Sequence, residues 1–249
     1  EELTYVRTSV KNATDIVTQA DNICQKIIID YVKTCYPDHG FIAEEGSEGK
    51  LLKTFPRGDD QFWWIIDPID GTNNYAHRVL SFTVSVAVLC KGFPVVGVIF
   101  DPATESTWTA VKSEVPRLNG AEIAASTAAI SRFESFAIDN NFENIDRFPQ
   151  GVASLMLRTR FRNMGTTALH MAYVASAGFI GMLNATPKLW DIAAGAFIAE
   201  CAGAKVSDFK GNPIWPVNPA TYSGGNCPVL AAAPNAYREA MDAMKDYPA

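Results

Sequence analysis

The segment from Phe62 to Asn74 constrains this chain more than any other. Its first half, Phe62-Trp63-Trp64-Ile65-Ile66, is a short aromatic and β-branched run that reads as a buried strand. The strand is expected to stop at Asp67-Pro68, because proline holds its predecessor extended and has no N–H for a sheet ladder. Asp67 and Asp70 then stand where a buried element meets a loop, and the tight turn through Pro68-Ile69 returns Asp70 toward Asp67. Two carboxylates so held can share hard cations, with the Ile69 carbonyl as a further oxygen ligand; oxygen-only ligation selects Mg²⁺ or Mn²⁺ over zinc. Beyond them, Gly71-Thr72-Asn73-Asn74 can open a helix whose first amides suit a phosphate oxyanion. Carboxylates for metal beside amides for phosphate are what a metal-dependent phosphate-ester hydrolase requires.

Further carboxylates stand at comparable places. Glu44-Glu45 end the apolar run Phe41-Ile42-Ala43, and Asp191 sits between Trp190 and an Ala-rich helix. Singly, each has a plain structural reading. Asp70 and Asp191 would be helix N-caps, Asp21 the acidic partner of a capping box with Thr18, and Glu44-Glu45 an exposed pair. Together they outline a site.

The rest of the chain supplies the frame. Apolar residues at Ile23, Cys24, Ile27, Ile28, Tyr31, Val32 and Cys35 predict an amphipathic helix over 21–36. Phe82 to Leu89, with Phe82, Val84, Val86 and Val88 on one face, and Val95 to Phe100 predict an antiparallel pair. Helices are expected at Thr166–Ala177, Ile192–Ala202 and Asn235–Lys245, and short strands at Ala204–Ser207 and Val229–Ala232. Elements occur in blocks rather than in alternation, which favours a layered α+β fold over a doubly wound sheet. One domain over 1–249 is expected, its half 1–120 carrying the first motif and its half 121–249 the second.

Twenty-one basic against 27 acidic residues give a net charge of −6, without the basic stripe of a nucleic-acid binder. The uncharged stretches 163–187 and 211–237 are broken by glycines or prolines and do not read as membrane spans. Five widely spaced cysteines without a CxxC pair read as reduced, buried thiols of a cytoplasmic protein. His39 and His170 read as packed or solvated, and Trp63 as core.

Trp64 to Tyr75 (Trp-Ile-Ile-Asp-Pro-Ile-Asp-Gly-Thr-Asn-Asn-Tyr) resembles the first motif of the inositol monophosphatase family, and Leu189-Trp190-Asp191-Ile192-Ala193-Ala194-Gly195 resembles its second. Asp15 to Asp21, Phe41 to Gly46, Leu118-Asn119-Gly120 and Gly165 to Leu169 follow the family's order, so the similarity covers nearly the whole chain. The resemblance implies an αβαβα phosphatase, often a homodimer and often inhibited by Li⁺, that uses two or three Mg²⁺. It implies Glu44, Asp67 and the Ile69 carbonyl around a first ion and Asp67, Asp70 and Asp191 around a second. Thr72 with Glu44 would activate the attacking water, Asp21 would support Thr72, and Glu45 would lie behind the ligands. Amides of Gly71 and Thr72 would hold the phosphate. Asp70, Asp191, Asn163 and Asn184 would face the alcohol of a small phosphate ester.

Two of those positions depart from the family. Asn184 stands where inositol monophosphatases have a Glu seven residues before the second-motif Asp, and Asn163 where they often have Ser. Both put inositol specificity in question and leave the metal and phosphate machinery intact. Histidinol phosphate is the nearest rival substrate. Asn74 argues against the nucleotide-phosphatase branch, and Trp190 leans toward the inositol branch. A regulatory or binding protein on a phosphatase scaffold is the alternative from another class.

Overall fold

The computed structural model describes residues 8–12, 15–57, 61–139 and 149–245. Strands β1 (Thr8–Asn12) and β2 (Asp15–Thr18) pair antiparallel and lead into helix α1 (Gln19–Cys35). Next come β3 (Gly40–Ala43), β4 (Leu52–Thr54), β5 (Phe62–Asp70) and the short α2 (Thr72–Ala76). An antiparallel run follows, β6 (Thr83–Cys90), β7 (Phe93–Asp101) and β8 (Ser106–Val111), closed by the two-residue strands β9 (Arg117–Leu118) and β10 (Ala121–Glu122). The second half begins with β11 (Ser135–Asp139), α3 (Gln150–Arg158), β12 (Arg160–Arg162), α4 (Thr167–Ala175) and β13 (Gly181–Asn184). It ends with α5 (Leu189–Cys201), β14 (Lys205–Ser207), β15 (Val229–Ala232) and α6 (Pro234–Asp242).

Two sheets result. Eight strands run in the order β10-β9-β8-β7-β6-β5-β3-β4, and five in the order β12-β11-β13-β15-β14. α1 covers the outer face of the first sheet, where Ile29 and Val32 pack on Phe41, Ala43 and Ile66. α4 and α5 fill the space between the sheets, with Leu169, Met171, Ile192 and Phe197 in one core with Ile65, Leu89, Ile99, Met182 and Ala231. α3 and α6 cover the far face through Val152, Leu155, Ala236 and Ala240. The layers are therefore αβαβα. α4 and α5 are apolar all round because sheets or helices cover every side of them. Gly195 allows their close approach: a Cβ there would lie 2.6 Å from that of Met171.

Four expectations shift. β5 does not stop at Asp67-Pro68 but continues to Asp70, with its register to β6 slipping between Asp67↔Ser85 and Asp70↔Thr83. One extra residue on β5 makes a bulge, a place in a sheet where proline is tolerated. In α1 the buried side chains are Asp21, Gln25, Ile29 and Val32, whereas Ile23, Ile27 and Tyr31 are 44%, 64% and 72% exposed. Polar anchors set that rotation: Gln25 Nε2 donates to Glu45 O (2.5 Å) and Glu45 N to Gln25 Oε1 (2.9 Å), outweighing the apolar stripe. In β6 the face opposite to the predicted one, Thr83, Ser85, Ala87 and Leu89, is fully buried, because both faces of the sheet are covered. The five thiols are free, but none is fully buried, and Cys35 is exposed.

Trp63 is in the core, and His39 is packed, accepting from Trp64 Nε1 at 2.9 Å and stacking on Tyr36 and Phe62. His170 is fully buried: Nε2 accepts from Met164 N (3.0 Å), while Nδ1 has no hydrogen-bond partner among the described residues. Burial pushes the imidazole pKa down to about 4. The unfolded chain, with its histidine near 6.5, then takes up this proton first as pH falls. Stability is therefore expected to drain away between about pH 6.5 and pH 4, by on the order of 3 kcal/mol from this group. Urea unfolding at pH 7 and pH 4.5 checks this: His170→Gln, which keeps an acceptor for Met164, should lose markedly less stability on acidification. Equal losses would contradict the assignment.

Candidate active site

Strand register builds the site. β3 and β5 are parallel with Ala43 opposite Ile66, so Glu44 and Asp67, the next residue of each, emerge side by side. Glu44 N–H donates to Ile66 O (3.2 Å), which fixes that exit. The bulge at Pro68-Ile69 brings Asp70 to the same end of the sheet. α5 delivers Asp191 from its first turn, where the carboxylate accepts from Lys188 N at 2.7 Å. Ser85, paired with Asp67 across the sheet, donates to Trp190 O (3.3 Å) and pins that helix start against β5.

Asp67 is 1% exposed, lies within hydrogen-bonding reach of Glu44 and Asp191, and accepts from Ile69 N (3.0 Å). Burial, then repulsion from Glu44, Asp70 and Asp191, pushes its pKa well above the carboxylate range. Asp191 is raised likewise, by burial and then by Asp70 and Glu44. Burial also lifts Asp70, to about 6, against three donors: Thr166 Oγ1 (2.5 Å), Ala168 N (2.6 Å) and Thr167 N (3.3 Å). Asp70 thus caps α4 across the molecule, not the helix that follows it, α2, whose N-cap is Gly71 and which has no side-chain cap.

Among the described residues no basic side chain offsets Asp67, Asp70 or Asp191. Buried like charges at this spacing need protons or cations between them. The donors are all oxygen, so the set suits Mg²⁺ or Mn²⁺. Among the described residues no three acidic, histidine or cysteine side chains already surround one point; these carboxylates meet in pairs.

Asp21 does two jobs. It closes the capping box of α1, with Oδ2 accepting from Thr18 N (2.8 Å) and Thr18 Oγ1 (2.5 Å), and Oδ1 lies 3.2 Å from Thr72 Oγ1. That hydroxyl also lies 3.0 Å from Ile69 O. Its single proton can go to only one of them, so a cation taken up by Ile69 O would turn Thr72 toward Asp21. Gly71 has φ +94°, and a Cβ there would come 3.0 Å from Ser81 O, so the turn needs glycine. α2 spans only five residues, so its N–H groups matter more for an anion than its small dipole. Asn74 Nδ2 donates to Ser81 O and Met164 O, both at 2.7 Å, tying this turn to the loop before α4.

Glu45 is buried behind Glu44, its backbone held by Gln25. Asn163 lies on the exposed loop before α4 and accepts from Gly165 N at 3.0 Å. Asn184, 6% exposed, ends β13, donating to Thr167 Oγ1 (2.8 Å) and accepting from Thr186 N (3.0 Å). Sequence reasoning missed Asp139, which ends β11 in register with Asn184. A signal was present. Phe136-Ala137-Ile138-Asp139 repeats the apolar-run-then-acid pattern of Phe41 to Glu44 and Trp64 to Asp67.

Layering, bulge and carboxylate cluster define a protein of the inositol monophosphatase family. The sequence matches that family over residues 1–245, and the chain belongs to it. Among particular relatives, Nus factor SuhB of Escherichia coli K12 is 34% identical over 244 residues, covering 96% of this chain and 89% of that protein. The suhB extragenic suppressor protein of Bartonella henselae has the same fold (TM-score 0.87, 26% identity, 98% and 90% of the two chains). So does the Thermotoga maritima IMPase (TM-score 0.82, 28% identity, 99% and 90%). Among the described residues no helix is long and apolar enough to cross a membrane.

Proposed function

We propose that this chain is a Mg²⁺-dependent phosphomonoesterase acting on a small polyol or sugar-like phosphate, with inositol 1-phosphate the first candidate. The observation that carries this is the convergence of Glu44, Asp67, Asp70 and Asp191 beside the amides of Gly71 and Thr72. Glu44, Asp67 and the Ile69 carbonyl would hold one ion and Asp67, Asp70 and Asp191 a second, with Glu45 supporting Glu44. Bound Mg²⁺ would supply Lewis acidity to the phosphoryl oxygens and the leaving alkoxide and would acidify the attacking water. Thr72 and Glu44 orient that water and accept its proton, while Asp21 fixes the Thr72 hydroxyl. The Gly71 and Thr72 amides align the phosphoryl group, so most of the catalysis is positioning and charge neutralisation. Asp70, Asp191, Asn163 and Asn184 would lie on the alcohol side of the site. A homodimer, Li⁺ inhibition and a cytoplasmic location belong to the same reading.

A second reading has one specific support: relatives at 31–34% identity carry the name Nus factor SuhB, which fits a regulatory or binding role. The two are compatible, since a protein can bind a partner with a working site. A panel of inositol phosphates, histidinol phosphate, fructose bisphosphate and nucleotide phosphates, assayed for phosphate release with Mg²⁺, tests the first reading. We expect inositol 1-phosphate or histidinol phosphate to lead. No release from any of them, with specific partner capture from a cell extract, would favour the second.

A further inference from the structure

In-line displacement at phosphorus puts water and leaving alcohol on opposite sides of the phosphoryl group. With Glu44 and Thr72 on the water side, as proposed above, the alcohol would leave toward Asp70, which faces the start of α4. The next groups beyond Asp70 are Thr167, Asn184 and Asp139. Thr167 N donates to Asp70 Oδ1 (3.3 Å), Asn184 Nδ2 to Thr167 Oγ1 (2.8 Å), and Asp139 Oδ2 lies 3.4 Å from Thr167 Oγ1 and 3.5 Å from Asn184 Nδ2. Asp139 and Asn184 are the last residues of two neighbouring parallel strands, an edge where α/β folds commonly seat ligands.

The two residues differ in what they have left to offer. Asn184 is 6% exposed, with its amide nitrogen on Thr167 and Asp139 and its oxygen on Thr186 N. It is spent inside the protein. Asp139 is only half-buried, and its Oδ1 has no hydrogen bond among the described residues. We propose that Asp139 is the specificity-determining residue of this site, its carboxylate accepting hydrogen bonds from hydroxyls of the substrate's alcohol, with Asn184 and Thr167 as positioning residues that aim it. Asn184 thus acts on substrate through Asp139. The substrate class that follows is a phosphate monoester whose alcohol carries at least one further hydroxyl near the ester oxygen. Asp139 selects which alcohol is held and takes no part in proton transfer or bond cleavage.

The inference rests on the phosphatase reading, and two readouts keep the pair separable. The first is kcat/KM for myo-inositol 1-phosphate divided by that for p-nitrophenyl phosphate, whose aromatic alcohol carries no further hydroxyl. Asp139→Asn should lower this ratio about tenfold or more, chiefly through KM for the inositol ester, because a hydrogen bond to a charged acceptor is lost. The second is equilibrium binding of myo-inositol 1-phosphate and of inorganic phosphate with Ca²⁺ in place of Mg²⁺. The same variant should weaken the former about tenfold and the latter much less. Should Asp139→Asn fail to fold, Asn184→Ala must move the ratio in the same direction. A ratio and a relative affinity that both stay put, or that fall equally for both ligands, overturn the assignment. Absence of phosphate release by the wild-type protein would instead sink the phosphatase reading, and the binding comparison would still decide on Asp139.

Discussion

Asp67→Asn is expected to abolish phosphate release, by at least about 10³-fold, while making the metal-free protein more stable. Both effects have one cause. Asp67 is buried between Glu44 and Asp191 without a basic partner among the described residues, and its charge is tolerable only when protons or cations stand between the three. The amide keeps Oδ1 as acceptor for Ile69 N and offers Nδ2 to a neighbouring carboxylate, so repulsion becomes hydrogen bonding. A gain of about 1–2 kcal/mol without metal follows, or about 2–8 °C in Tm for a domain of this size. The melting temperature in EDTA, measured beside phosphate release in Mg²⁺, checks both. A variant that is inactive and also less stable would show that Asp67 holds the fold together rather than a charge-strained site.

Asp70→Asn should lose activity on a similar scale and move stability the other way. Three donors converge on this carboxylate, the Thr166 hydroxyl and the amides of Thr167 and Ala168. An amide presents an acceptor to one side only and turns an NH₂ group toward a donor on the other. A buried N–H or hydroxyl is then left facing a donor, at a cost of about 1–3 kcal/mol. That cost falls on the N-terminus of α4, and so on the layer between the sheets. Urea unfolding at pH 7.5 in EDTA should therefore rank Asp67→Asn above wild type and Asp70→Asn below it. If both variants shift the same way, the distinction between a strained carboxylate and a capping one fails.

Much of this was legible in the sequence, for physical reasons that differ along the chain. In the Asp67 to Thr72 run proline and glycine mark a local change of direction, although not the bulge that carries β5 on to Asp70, and β15 and α5 lie close to where their apolar patterns put them. The rotation of α1 was not readable. It depends on Gln25 meeting the Glu45 backbone, a contact twenty residues apart, and on Thr72 meeting Asp21. Asp70 looked like a cap for its own helix and caps another, since a sequence shows that an acceptor exists but not which amides reach it. β11 and β13 escaped because they carry no alternation and, unlike β15 between Pro228 and Pro234, no proline marks where they begin or end. Asp139 was lost with β11, although its residue pattern repeats those of Phe41 to Glu44 and Trp64 to Asp67.

Phosphate release from myo-inositol 1-phosphate by the wild-type protein, followed through a cycle of Mg²⁺, EDTA and restored Mg²⁺, bears most directly on the carboxylate cluster as a catalytic metal site. Release should appear with Mg²⁺, vanish with the chelator, return when Mg²⁺ is again in excess, and be absent throughout in Asp67→Asn. Release that continues in EDTA, or that Asp67→Asn retains in Mg²⁺, would contradict the account.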